Sequence, residues 1–146
     1  INHGFNEIDV LNDLIDVSKN NFNIIIKKHP SEKKDKYKKL TEKYRFLSII
    51  DRENIDDIIL NCEKIIGMSP LLLIESGLIR RDVLSYRPNA QSSFVGNDKN
   101  ITKLVKSKNS LKREIYKLKS NIYKKNNKYT GSTKKINAFI SKLLSN

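Results

Sequence analysis

The stretch IIGMSPLLLIESGLIRRDVLSYRP, residues 65–88, decides the fold. It begins within the short apolar run KIIGM (64–68), passes through Ser69-Pro70 into PLLLIESGLI (70–79), and reaches DVLSY (82–86) before Arg87-Pro88. The outer runs are short and bounded by breakers, which predicts strands. The middle run is long enough for a helix, and Pro70 suits its first position, where no backbone N–H is needed. Strand, helix, strand is a βαβ unit, and its parallel crossover is right-handed almost without exception.

The same alternation extends upstream. NEIDVLNDLIDVSK (6–19) sets Ile8, Leu11, Leu14, Ile15 and Val17 near one helical stripe behind a capping Asn6. NIIIKK (23–28) reads as a buried strand that Pro30 ends. SEKKDKYKKLTEKY (31–44) reads as a solvated helix with Tyr37, Leu40 and Tyr44 inward. FLSII (46–50) is a strand, and IDDIILNC (55–62) a short helix. Downstream, 89–98 reads as loop or edge structure. From Ile101 onward the pattern predicts helices broken near Asn126–Gly131, with Ile136, Phe139, Ile140 and Leu143 inward.

The predicted architecture is α/β: a Rossmann-like doubly wound parallel sheet over residues 1–96, with helices on both faces. Residues 97–146 form a basic helical C-terminal extension packed on that core. Such a sheet normally opens with a strand, and here a helix comes first, so the first strand is expected upstream of Ile1.

A chain of 146 residues suits one sizeable core, and its 38% apolar content is ordinary. No apolar run approaches the roughly 18–20 residues that span a membrane, and INHGF lacks the features of a secretory signal. The single cysteine, Cys62, excludes an internal disulfide framework and reads as a buried structural residue in a reducing compartment. Net charge is +13, and residues 97–146 carry most of it, with 14 Lys and Arg against Asp98 and Glu114. A basic arm of this kind suits nucleic acid, anionic lipid or an acidic polymer. The apolar stripe of 110–145 turns many of those lysines into a solvated face, which makes a nucleic-acid-binding module the weaker reading. The expected location is cytoplasmic, with peripheral contact at the inner membrane face through the basic tail.

Ligands of parallel sheets sit at the carboxyl ends of strands. Two such ends carry unusual residues: Lys28-His29-Pro30 and Gly67-Met68-Ser69-Pro70. Ser69 at a helix start, with free N–H groups and the positive end of the helix dipole, favours phosphate, although a plain capping serine has the same look. Gly67 would let a ligand approach the backbone. Glu75 lies in an otherwise apolar helix; it holds ribose hydroxyls, forms a structural pair with Arg80 or Arg81, or is an exposed edge glutamate. His29 either donates a hydrogen bond or charge to a phosphate or leaving-group oxygen, or is a turn residue before proline. Two histidines and one cysteine without close spacing predict no metal site.

Taken together, strand–His-Pro, strand–Gly-x-Ser–helix–Glu and strand–Ser-Tyr-x-Pro resemble the C-terminal domain of GT-B-type enzymes, over roughly residues 3–90. The pattern is similar to bacterial surface-polysaccharide glycosyltransferases, to sialyl- and polysialyltransferases with a His-Pro motif, and to UDP-N-acetylglucosamine 2-epimerases. GFNE (4–7) resembles the glycine-containing loop before the first helix of that domain. The resemblance implies that His29 contacts nucleotide phosphate and is the catalytic candidate. It also implies that Ser69, with Gly67 and Pro70 beside it, binds phosphate, and that Glu75 holds ribose hydroxyls. Ser-Pro-Leu stands where the epimerases have Ser-Gly-Gly, which leaves an epimerase-like domain as the alternative.

The implied substrate is a CMP- or UDP-linked nucleotide sugar, transferred to a glycan acceptor without a further cofactor. The implied partner is an N-terminal α/β domain carrying the acceptor site. The chain by itself is expected to bind nucleotide weakly and not to transfer sugar.

Overall fold

The computed structural model describes residues 6–50, 55–68, 70–80, 82–117 and 141–142. Ser69 and Arg81 lie outside the described residues, as do the expected inward positions Ile136, Phe139, Ile140 and Leu143.

Helix α1, Glu7–Ser18, starts in a capping box. The Asn6 side chain accepts the N–H groups of Ile8 at 2.9 Å and Asp9 at 3.1 Å, while the Asp9 carboxylate takes the Asn6 N–H at 2.9 Å. Donors that a helix start would otherwise leave unpaired are thereby satisfied. Strands β1 (Ile24–Lys27) and β2 (Leu47–Ile50) follow and pair in parallel, Ile24 opposite Leu47.

The intervening helix α2 covers only Lys38–Lys43, not the expected 31–44. The chain before it folds around Glu32 instead. Its carboxylate accepts the His29 N–H at 2.8 Å and the Tyr37 hydroxyl at 2.9 Å, and is paired with Lys36.

Helix α3 (Ile55–Asn61) leads to β3 (Ile65–Gly67), helix α4 (Leu71–Ile79) and β4 (Val83–Tyr86). Pro70 stands one place earlier than expected, at the N-cap of α4 with extended backbone and no side-chain capping bond. The buried Arg80 guanidinium joins Asp82 at 2.6 Å and donates to the carbonyls of Ile59 and Glu63. This clamp fixes the corner between α4 and β4 against the end of α3.

A short helix α5 (Val95–Asp98) is followed by strand β5 (Lys103–Val105) and helix α6 (Lys108–Ile115). A strand thus stands where the sequence pattern predicts only helix. The Gly96 carbonyl accepts the N–H groups of both Ile101 (2.8 Å) and Thr102 (2.9 Å), which turns the chain back beside β4. There Lys103-Leu104-Val105 pairs with Leu84-Ser85-Tyr86.

Among the described residues the strand pairings are parallel and form two sheets, β1-β2 and β3-β4-β5. Helices cover both faces of the larger sheet. Leu84, Tyr86 and Val105 pack with Val10 and Val17 of α1 and with Leu111 and Ile115 of α6. On the other face Val83 packs with Leu73, Ile74 and Leu78 of α4 and with Phe94. Strand β4, buried at every residue, is the central element of this sheet, as a two-sided parallel strand should be. The fold is α/β with Rossmann-like layering. The single continuous sheet expected from the sequence is divided in two among the described residues.

Candidate functional site

A cleft of about 510 Å³ runs between the two sheets. Its walls include Ile24 to Lys27 of β1 and Ile65 to Gly67 of β3, with Val10, Leu11 and Leu14 of α1 beside them. Two strand ends contribute to it: His29 just past β1, and Gly67, Met68 and Pro70 at the end of β3. His29 and the residues Gly67, Met68 and Pro70, far apart in sequence, therefore share one cavity. Ligands of parallel sheets bind outside such carboxyl ends.

The His29 ring is exposed, and its Nδ1 is engaged locally. Nδ1 accepts the Ser31 N–H at 3.2 Å and lies 2.6 Å from the Ser31 hydroxyl. A ring nitrogen that accepts a backbone N–H carries no proton, so the neutral tautomer bears its proton on Nε2. Nε2 is then the group available to donate to a ligand oxygen.

Beneath His29 lies the Glu32 cluster. Burial pushes the Glu32 carboxyl upward, but hydrogen bonds from Lys36, the His29 N–H and Tyr37 outweigh it and hold the group below its ordinary range. Burial first, and then the bond to Glu32, pushes the Tyr37 phenol up to about 12. Glu7, which also lines the cleft, lies 3.3 Å from Lys36. Lys36 thus answers both carboxylates on this rim.

At the second strand end, Gly67 is a glycine the fold does not require. The nearest atoms that a Cβ there would meet belong to Leu73 and Pro70, at 3.4 Å. The turn after it is held from β4: the fully buried Ser85 donates its hydroxyl to the Met68 carbonyl at 2.6 Å. Asn97 donates to Ser85 at 3.3 Å, and Thr102 to Asn97 at 2.8 Å. Tyr86, the next residue, donates its hydroxyl to Asp13 of α1 at 2.7 Å.

The Ser85-Tyr86 pair belongs to the strand–Ser-Tyr-x-Pro pattern, which assigns neither residue a role. A serine in an otherwise large-residue, buried strand is the signal that points to Ser85, because a buried hydroxyl needs a partner. Cys62, expected to be buried, is half-buried and lines the cleft.

Glu75 stands apart from the cleft lining. Arg80 is committed to Asp82, so it does not supply the structural pair considered for Glu75. Among the described residues Glu75 has no hydrogen-bond or ion partner. Burial first, and the nearby Asp56 second, raise its carboxyl above the usual range. A half-buried carboxylate with a raised pKa and no cation beside it among the described residues, which leave out Arg81, is a candidate ligand-binding group.

Among the described residues no group of His, Cys, Asp and Glu could hold a metal ion, and no helix is long and apolar enough to cross a membrane. No curated protein and no solved structure matches the chain. The family model described as Alpha-2,8-polysialyltransferase (POLYST) matches residues 3–76, just over half of the 146. The matched span contains His29, Gly67, Pro70 and Glu75. With both strand ends of the cleft inside that span, the chain belongs to the alpha-2,8-polysialyltransferase family and has a sialyltransferase-type glycosyltransferase role.

Proposed function

We propose that this chain is the donor-binding domain of a GT-B-type sialyltransferase and that its donor is CMP-linked. His29 Nε2, Ser69 and the first turn of α4 receive the nucleotide phosphate. Gly67 lets that phosphate approach the backbone, and Glu75 takes the ribose hydroxyls. As the glycosidic bond to the nucleotide breaks, negative charge grows on the departing phosphate. N–H dipoles of the helix start and the histidine would stabilise that charge, and being fixed by the fold they would need little reorganisation. A glycan acceptor would be presented by a second α/β domain across the cleft.

One observation carries this reading: His29 and the Gly67–Pro70 turn line a single cavity in a chain of the polysialyltransferase family. The test is a calorimetric titration of CMP and UDP against the full-length protein and its His29→Ala, Ser69→Ala and Glu75→Ala variants. Tighter binding of CMP than UDP, weakened by about tenfold or more in each variant, is the expected result. Equal affinity in all four proteins would defeat the site assignment, and a UDP preference would defeat the choice of donor.

We also propose a cytoplasmic location with peripheral contact between the basic segment 97–146 and an anionic membrane surface. Charge reversal at Lys117, Lys119, Lys124 and Lys125 should abolish sedimentation with phosphatidylserine vesicles. Unchanged sedimentation would dismiss the contact.

A further inference from the structure

Two of the described arginines are buried, and their surroundings differ. Arg80 is a structural clamp, with Asp82 and two backbone carbonyls on its guanidinium. Arg87 is only 4% exposed, and among the described residues no carboxylate pairs with it. Its Nη2 donates to the Ser92 hydroxyl at 2.9 Å, and its Cζ lies 5.9 Å from the centre of the Phe94 ring. The only side-chain carboxylates outside the described residues are Asp51 and Glu53, which follow β2 of the other sheet. A buried cation without a counter-charge is costly, and an aromatic ring offsets only part of that cost.

A guanidinium carries five N–H donors in a fixed fork, and Ser92 takes one of them. Among the described residues no fully buried side-chain nitrogen lacks a hydrogen-bond partner, so the remaining Arg87 donors reach the surface. The Ser92 contact puts them under the loop 88–93, where Asn89, Gln91, Ser92 and Ser93 are exposed. Arg87 directly follows β4. Alternate residues of a strand share a face, which puts Arg87 on the side of Ser85, the partner of Gly67 in register. It therefore stands at the same carboxyl edge as the Gly67–Pro70 turn, where ligands of parallel sheets bind. It does not line the cleft between the sheets.

We propose that Arg87 binds the carboxylate of a sialyl group, in a site separate from the cleft. The planar fork matches two carboxylate oxygens, and its single charge matches a single negative charge. A phosphate monoester would bring nearly twice that charge to one guanidinium. The family supplies the ligand class: in α2,8-linked sialyl transfer, the sugar transferred and the chain end that receives it both carry a carboxylate. A neutral sugar would leave the guanidinium unpaired, so Arg87 selects against it. The ligand rests on the sialyltransferase reading, and the residues assigned to nucleotide in the cleft do not enter.

The experiment titrates CMP, CMP-N-acetylneuraminic acid and an α2,8-linked trimer of sialic acid against the full-length protein and its Arg87→Met and Arg87→Lys variants. Arg87→Met should lose about tenfold or more in affinity for the trimer, the CMP-linked sugar or both, while CMP binds as before. Loss on the CMP-linked sugar assigns the carboxylate to the donor, and loss on the trimer assigns it to the acceptor. Arg87→Lys keeps the charge without the fork and should recover only part of the binding. In the unaltered protein the Arg87 side-chain N–H resonance should shift when the sialyl ligand is added and not when CMP is, a readout that needs no variant. Unchanged affinity for both sialyl ligands in Arg87→Met would overturn the proposal. So would an equal loss for CMP, which would place Arg87 in the nucleotide site. Failure of the cleft assignment is read separately, on CMP against the His29, Ser69 and Glu75 variants.

Discussion

The hydroxyl of Ser85 donates to the carbonyl of Met68 at 2.6 Å, so the turn that ends β3 is fixed by the neighbouring strand. Ser85 stands directly opposite Gly67 in the β3–β4 register. The segment proposed to hold phosphate is therefore anchored by a residue that need not touch the ligand.

Replacing Ser85 by alanine removes that anchor and leaves a carbonyl without its partner, at a cost of about 1–3 kcal/mol. We predict a lower melting temperature together with weaker nucleotide binding. Ser85→Thr keeps a hydroxyl and should recover part of the binding. Thermal unfolding and calorimetry on the two variants check this, and unchanged nucleotide affinity in Ser85→Ala would separate the turn from the site.

Two glycines should respond in opposite ways to a methyl group. A Cβ at Gly77 would fall 2.6 Å from the Ile101 carbonyl oxygen, a backbone atom with little freedom to move. Gly77→Ala should destabilise the fold by about 1–3 kcal/mol. Gly67 has room, its nearest contacts being at 3.4 Å. Gly67→Ala should therefore stay within about 0.5 kcal/mol of the parent in stability, while its nucleotide affinity falls. Chemical denaturation of both variants makes the comparison.

Glu75 should weaken the fold at neutral pH. Its folded-state pKa is raised by burial and then by Asp56. Its contribution to stability is thus fully present below the ordinary value of 4.5 and is lost as pH rises through the raised one. We expect Glu75→Gln to melt higher than the parent at pH 7, with the gap closing below pH 4.5. A carboxylate kept at that cost fits a role in binding, and the same variant should bind nucleotide less well.

Glu32 has the opposite sign. Its carboxyl is held below 4.5 because Lys36, the His29 N–H and Tyr37 together outweigh burial. Its stabilisation is present above pH 4.5 and is lost as pH falls through the lowered folded-state value. Glu32→Gln should melt lower than the parent at pH 7 and approach it in acid. The same substitution should bring the Tyr37 phenol down from about 12, as a spectrophotometric titration would read.

Much of the fold was legible because its signals are local. Asn6 with Asp9 marks the start of α1, the isoleucine runs mark β1 and β3, and Pro70 marks the entry to α4 within one position. Strand β5 was not legible. Lys103-Leu104-Val105 is short and lies in a basic segment, and its extended form comes from pairing with β4 after the turn at Gly96. The length of α2 was misread for a similar reason. A helical pattern begins at Ser31, but hydrogen bonds converging on Glu32 hold the chain in turns until Tyr37.

The sequence by itself determined the alternation of strands and helices, the basic C-terminal segment and the two strand ends where chemistry was expected. Those properties rest on residue type and spacing over a few positions. Only the tertiary structure decided that His29 and the Gly67–Pro70 turn line one cleft, that Arg80 belongs to Asp82 and not to Glu75, and that the sheet is divided between β1 and β3. Each of these depends on contacts between segments distant in the chain. Such contacts are set by how helices seat on both faces of a sheet, which periodicity within any one segment does not encode.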